Sequence, residues 1–391
     1  MNSRLEKLQE YPFQRLNQLL TGLEPPADKE RIMLSLGEPK HEPPSFIHDI
    51  LATGGDLLSG YPLTRGEGKL RESICHWLSR RFCINLDLLD PARHVLPVSG
   101  SREAIFSFIQ AAVDHSSHTT ARVAMPNPFY QIYEGATIMA GAAPYFLNNT
   151  EENNWLPQLH KVPEEIWHDT QLLILCSPDN PTGSVIPAEI YAEVLALADR
   201  YNFNVAADEC YSELYRDEDK PPVGLLQVAA AEGRTSFERC IVFHSLSKRS
   251  NLPGLRSGFV AGDSNIIDAY FKYRTYHGCV PNRLTQAIST VAWDDDEHVI
   301  RNRAVYRDKF NAVYDILAPL MKLQNPGAVS SLRPETPIDE EEFSRSLCLT
   351  ENVVTLPGTY LARDTVTGNP GNNRVRIALV ARLNECVESA E

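Results

Sequence analysis

One lysine in this chain stands where a lysine can react. Ser245-Leu246-Ser247-Lys248 follows the apolar run Ile241-Val242-Phe243, Arg256 stands eight residues further on, and the small-residue run Gly258–Gly262 comes next. The flanking runs predict two buried strands with Lys248 on the loop between them. A lysine held there loses charge through desolvation and nearby cations, and a neutral amine attacks aldehydes. Ser245, Ser247 and Arg256 are donors that suit a phosphate. An amine for an aldehyde beside donors for a phosphate describes pyridoxal 5'-phosphate, whose ring nitrogen also needs an acid. Taken alone, the stretch leaves open the plainer reading that Lys248 is one more surface lysine.

Other chemically suggestive residues end strands. His94–Val98 reads as a strand that passes through Ser99-Gly100-Ser101-Arg102 into an apolar helix carrying Ala104, Ile105 and Phe108. Strand, tight turn and helix put free N–H groups and a positive helix end at one sheet edge, a phosphate site by geometry. Serine and glycine also cap helices that bind nothing. Arg122–Met125 leads to Tyr130, the apolar run Leu172–Cys176 leads to Asp179-Asn180-Pro181, and Val205–Ala207 leads to Asp208-Glu209-Cys210-Tyr211. Strands alternating with helices predict a mainly parallel sheet with right-handed crossovers, and ligands bind beyond the carboxyl ends of such strands. Ser101, Tyr130, Asn180, Asp208, Tyr211 and Lys248 all fall there.

The remaining elements must frame that edge. Residues 12–22 read as a helix, Ile32–Leu36 as a strand running into Gly37, and Gly60-Tyr61-Pro62 as a turn-rich loop. From 262 to about 325 the texture is helical. Arg374-Val375-Arg376-Ile377 alternates, which puts Arg374 and Arg376 on one strand face. We expect an α/β fold in three parts: 1–45 joining a small domain, 46–285 forming a large cofactor-binding domain, and 286–391 forming the small α+β domain. The net charge of −14 argues against nucleic acid or an anionic membrane as partner. Eight cysteines without a Cys-x-x-Cys pair suggest reduced thiols rather than zinc or disulfides, and no apolar run reaches membrane-spanning length. A cytoplasmic enzyme is the expectation. Of the histidines only His115 and His118 lie close together, so no metal site is expected.

Four motifs resemble class I/II aminotransferases of fold type I: Asn180-Pro-Thr-Gly183, Asp208-Glu-x-Tyr211, Ser245-x-Ser-Lys248 with Arg256, and Arg376 in Arg-x-Arg-Ile-Ala. Their order and separation match across nearly the whole chain. Asn127–Gly135, Ser247–Gly258 and Tyr273–Gly278 look like the succinyldiaminopimelate transaminase subgroup, which exchanges the amino group of glutamate with N-succinyl-2-amino-6-oxopimelate. The resemblance implies that Lys248 bonds the cofactor aldehyde and, once displaced, moves the substrate proton. It implies Asp208 at the ring nitrogen, Asn180 and Tyr211 at the phenolic oxygen, and Tyr130 stacked on the ring. Ser101 and Arg102 through backbone N–H, with Ser245 and Arg256, hold the phosphate. Arg376 clamps the substrate α-carboxylate with help from the Gly37 backbone. It implies a homodimer in which Tyr61 reaches the neighbouring subunit's phosphate.

Where relatives usually carry an aromatic-rich strand, this chain reads Ala328-Val329-Ser330-Ser331-Leu332-Arg333. Arg333 has two readings, contact with a distal substrate carboxylate or simple solvation, and solvation is the expectation; Arg374 is expected to be a partly solvated strand arginine. The alternatives are a transaminase for aspartate, alanine or aromatic amino acids, or a lyase of the same fold. A transcription regulator would need a basic helix-turn-helix module that the first 30 residues do not supply.

Overall fold

The computed structural model describes residues 1–114, 116, 120–328 and 331–391. His115 and His118 therefore lie outside the described residues, as do Val329 and Ser330 of the divergent strand.

Seven strands form the central sheet: β2 (Val95–Val98), β3 (Arg122–Asn127), β4 (Ala143–Asn148), β5 (Thr170–Cys176), β6 (Asn204–Asp208), β7 (Cys240–Ser245) and β8 (Gly258–Gly262). Their order is β2-β8-β7-β6-β5-β3-β4, with β8 antiparallel to both neighbours and the other pairs parallel. The strands are covered on both faces, so their sequences are almost wholly apolar and alternate residues feed different cores. Leu173, Leu175 and Val242 join one core with Trp77, Leu78 and Trp293. Leu172, Ile174, Ile241 and Phe243 join the other with Phe108, Tyr133 and Tyr270. Helices 68–82, 188–201, 225–231 and 283–294 carry the first core, and helices 101–112, 132–140 and 264–277 the second.

The C-terminal part adds the long helix Glu297–Leu317, the helix Glu340–Glu351 and two small sheets. β1 (Ile32–Met33) pairs in parallel with β10 (Val353–Val354), so the N-terminal segment is stitched to the C-terminal part. The predicted strand over 32–36 is thus real but only two residues long. β12 (Val375–Ala378) lies antiparallel between β9 (Ser331–Leu332) and β11 (Leu356–Pro357). Phe310, Val313, Leu332, Val353, Val375 and Ile377 make the core between long helix and strands. Among the described residues no helix is long and apolar enough to cross a membrane.

The β7–β8 pairing leaves no room for a side chain at either end of β8: a Cβ on Gly258 would lie 2.3 Å from the His244 carbonyl oxygen. Gly262 has φ +145° and pairs with Ile241, and a Cβ there would lie 1.9 Å from the Cys240 carbonyl oxygen. Neither the backbone nor the space admits alanine. Gly262→Ala is expected to lower unfolding free energy by about 3 kcal/mol or more in urea titrations; a loss indistinguishable from zero would refute this account of the pairing.

Candidate active site

The carboxyl ends of β5, β6 and β7 and the helix start after β2 converge with two segments of the small part. β7 ends at Ser245, whose hydroxyl accepts the Ser247 N–H at 3.1 Å and starts a single helical turn, Leu246–Arg249. Lys248 therefore rides on a helical turn, not on the open loop that the flanking strands alone suggested. The reason is this serine cap, which gives the chain a helical N-terminus before β8 begins.

The Lys248 amine donates to the Gly37 carbonyl and lies 5.7 Å from the centre of the Tyr211 ring. Desolvation, then the Arg376 charge, push its pKa down to about 8. Arg376 reaches in from β12. It donates to the Ser35 carbonyl at 2.5 Å and to Asn180 Oδ1 at 3.4 Å, and its buried Nε has no partner. Burial raises the Tyr211 hydroxyl pKa, against the pull of Arg376, so the phenol stays a donor near neutral pH.

Asp208 closes β6. Its carboxylate accepts the Tyr133 hydroxyl at 2.7 Å and the Cys210 N–H at 3.3 Å. Burial raises its pKa, opposed by the Cys210 and Tyr133 hydrogen bonds and by the His244 charge. A protonated ring nitrogen set against it would relieve that burial. Tyr130 stands edge-on to Tyr133, ring centres 5.7 Å apart, and its hydroxyl accepts from Arg102 Nε at 2.5 Å. Arg102 also reaches the Tyr11 hydroxyl at 3.2 Å.

Gly100, at φ +91°, turns β2 into the helix Ser101–Ala112, with Ser101 and Arg102 in its first turn. The Arg256 guanidinium fills the space beside Gly100: a Cβ there would lie 2.4 Å from its Nη2. The helix N-terminus, Arg256 and the Ser245 turn could cradle an anion, and Asp208, Asn180, Tyr211 and Lys248 could meet the ring and aldehyde of a cofactor. The donor set fits pyridoxal 5'-phosphate. Tyr61 makes none of these contacts and is fully exposed.

Two expectations fail. Arg374 is buried, bonded to Glu151 at 2.8 Å and Glu335 at 3.2 Å. Arg333 is 7% exposed, lies 4.3 Å over the Trp155 ring and donates to the Pro370 carbonyl, while its Nε and Nη1 have no partner. Burial and the neighbouring Arg374 push its pKa down to about 9. Both arginines are covered because Trp155 packs against them, a contact more than 170 residues away in sequence. Tyr133 and Tyr11 went unassigned. Tyr133 had a detectable cue, since the first turn of a helix that follows a strand faces the carboxyl edge. Outside this site, Glu103, His277 and Cys279 offer ligand atoms within 4.8 Å of one another, but Arg274 already bonds Glu103 at 2.6 Å.

Two outcomes follow from the geometry. The Lys248 amine becomes neutral as pH rises through about 8. Reductive labelling of the cofactor-free protein with a small aldehyde, read by peptide mass, is expected to be half-maximal at Lys248 near that pH. Exposed lysines respond only near about 10.4; Lys248 titrating with them would sink the assignment. Gly100→Ala displaces Arg256 and is expected to weaken binding of pyridoxal 5'-phosphate by about tenfold or more in equilibrium titrations, with unchanged affinity counting against the cradle.

The sequence profile of aminotransferase class I and II matches residues 29–387. An LL-diaminopimelate aminotransferase of Desulforudis audaxviator is 30% identical over 99% of this chain and 95% of its own length. A crystal structure of an aminotransferase from Neisseria meningitidis superposes with TM-score 0.94 at 44% identity, covering 100% of this chain and 98% of that one. A probable N-succinyldiaminopimelate aminotransferase from Thermus thermophilus superposes with TM-score 0.83 at 25% identity, covering 97% and 98%. With fold, cofactor-matched residues and relatives in agreement, the chain belongs to the class I and II aminotransferases, pyridoxal-phosphate-dependent transaminases of fold type I.

Proposed function

We propose that this transaminase exchanges an amino group between glutamate and N-succinyl-2-amino-6-oxopimelate, in diaminopimelate and lysine synthesis. The observation that carries the reading is a pair of buried arginines without a carboxylate partner: Arg376 beside Lys248, and Arg333 just past the end of the neighbouring strand. The names of the Thermus and Desulforudis relatives support a diaminopimelate-type substrate. A second reading, favoured by the Desulforudis name, takes unmodified LL-diaminopimelate. Succinylation replaces the distal ammonium with a neutral amide and adds a carboxylate. A site lined by unpaired cations favours the succinylated form and repels the ammonium.

When bound, pyridoxal 5'-phosphate supplies an electrophilic aldehyde and a ring that accepts electron density. In this reading Arg376 binds the substrate α-carboxylate as a planar fork, with the Gly37 backbone beside it. Lys248, neutral near working pH, takes the proton from the substrate Cα and passes it on. Asp208, held by Tyr133, keeps a proton on the ring nitrogen. Asn180 and Tyr211 donate to the phenolic oxygen, and Tyr130 covers the ring. Ser101, Arg102, Ser245 and Arg256 hold the phosphate. One α-carboxylate clamp serves both half-reactions, because donor and acceptor each carry that group.

We assign the large domain from 46 through the helix 283–294, whose Ile288, Ala292 and Trp293 pack in the large-sheet core, so the boundary lies beyond the expected 285; the β1–β10 pairing supports joining 1–45 to the small part. A homodimer is part of the same reading. Tyr61 is free to reach a second copy, and Leu58 and Leu63 around it are 61% and 62% exposed.

The test is the visible band of the protein loaded with cofactor. Single amino acids added in excess should bleach it at rates that rank them. N-succinyl-LL-2,6-diaminopimelate and glutamate are expected to exceed aspartate, alanine, N-acetylornithine and LL-diaminopimelate by about tenfold or more in rate per concentration. LL-diaminopimelate ahead of its succinylated form selects the second reading, and any other order overturns both.

A further inference from the structure

Six arginines are buried among the described residues: Arg249, Arg274, Arg303, Arg333, Arg374 and Arg376. Four face carboxylates within ion-pair distance: Arg249 with Asp296, Arg274 with Glu103, Arg303 with Glu213 and Glu218, and Arg374 with Glu151 and Glu335. Arg333 and Arg376 do not. A buried guanidinium without an anion is costly, and structural arginines in this fold are not left that way. Arg376 is explained by the substrate α-carboxylate. Arg333 has the same signature and no assigned ligand.

The two residues are neighbours. β12 and β9 pair Ile377 with Leu332 and Ala378 with Ser331, and the Val375 N–H donates to the Pro334 carbonyl. Continued by one residue, this register sets Arg333 directly opposite Arg376. Opposite residues in an antiparallel pair project from the same sheet face with Cβ atoms about 4.5–5.5 Å apart. The two guanidiniums flank one loop, since Arg376 bonds Asn180 and Arg333 feels the charge of Asp179. Asp179 does not neutralise Arg333. The two charges act on each other, but no contact falls within ion-pair distance: Oδ2 of Asp179 is taken by the N–H and hydroxyl of Thr182, and its buried Oδ1, like Nε and Nη1 of Arg333, has no partner. Stacking on Trp155 and the bond to the Pro370 carbonyl hold the Arg333 plane and leave Nε and Nη1 without partners. These lie on different sides of the guanidinium, and each forms a two-point edge only with Nη2, whose second N–H completes one such edge for a carboxylate.

We propose that Arg333 binds the second carboxylate of dicarboxylic substrates, so that Arg376 and Arg333 together measure a molecule with two acid groups on a short carbon chain, such as glutamate and 2-oxoglutarate. This deepens the proposed transamination and rests on Arg376 taking the α-carboxylate. Specificity comes from the fork. A substrate without the second carboxylate leaves Arg333 buried and unpaired, which penalises that substrate rather than merely failing to reward it.

The experiment uses the cofactor-loaded protein and its Arg333→Gln and Arg333→Lys variants. Half-reaction rates with glutamate and alanine are measured, alongside calorimetric affinities for glutarate and butyrate, which bind without reacting. For the wild type, glutarate is expected to bind more tightly than butyrate. In Arg333→Gln, the glutamate-to-alanine ratio of kcat/KM is expected to fall about 100-fold, and the glutarate advantage to vanish. Arg333→Lys, with charge but no fork, should recover only part of either. Equal losses for both amino acids with a lowered melting temperature would make Arg333 a structural partner of Asp179 and overturn the proposal. An unchanged ratio, or glutarate no tighter than butyrate on the wild type, would overturn it too. The same wild-type sample is assayed with N-succinyl-LL-2,6-diaminopimelate. Failure there with the Arg333 effects intact sinks only the broader substrate reading, whereas success there without those effects sinks only this one.

Discussion

Positive charge held away from water is the constraint around which this active site is built. Lys248, Arg376 and Arg333 are all kept below their usual basicity by desolvation. Each cation makes its neighbour less tolerable, and Arg376 contributes directly to the lowered pKa of Lys248. The amine is thereby brought close to neutral without a dedicated base, and Arg376 and Arg333 stay buried with no carboxylate within ion-pair distance. Asp208 is the counterpart, a carboxylate made uneasy by burial and steadied by Tyr133 and Cys210. None of these groups would have its properties on an exposed surface, where water would restore ordinary basicity and acidity.

The fold supplies that desolvation by bringing strand ends to one edge. Parallel strands send every carboxyl terminus the same way, so Cys176, Asp208 and Ser245 arrive side by side. β8 is the exception: because it runs antiparallel, the connection that leads into it stays at this edge and sets Arg256 beside the Gly100 turn at the head of the helix Ser101–Ala112. The edge would still be open to water without the small part. Gly37, Ser35 and Arg376 come from chain segments more than 300 residues apart, yet they meet over Lys248 because β12 and the N-terminal segment lie side by side.

Most of the large sheet was legible because its strands are short, apolar and separated by helices of normal length. The residues at their ends could be named for the same reason: position after a buried strand is readable, and Asp208, Asn180 and Lys248 occupy it. What could not be read was contact between distant segments. Arg333 and Arg374 looked like solvated strand residues because nothing local says that Trp155 covers them. The helical turn at Lys248 was missed because it is only Leu246–Arg249, too short for periodicity to register. Tyr133 was passed over because an aromatic in an apolar helix is usually core, and its ring is indeed core while its hydroxyl serves Asp208.

The long helix Glu297–Leu317 is tied directly to the segment that carries Lys248. Its Asn302 side chain donates to the carbonyls of Lys248 and Arg249 at 3.1 and 3.3 Å. The same side chain bonds His41, which in turn meets Lys309 one helical stretch further along. The lysine backbone is therefore tethered from two directions, by its own sheet and by a helix that packs against the small strands. The helix and the backbone that carries the Lys248 amine are thus joined through a single amide, so the small part and the β7 edge share one hydrogen-bonded connection.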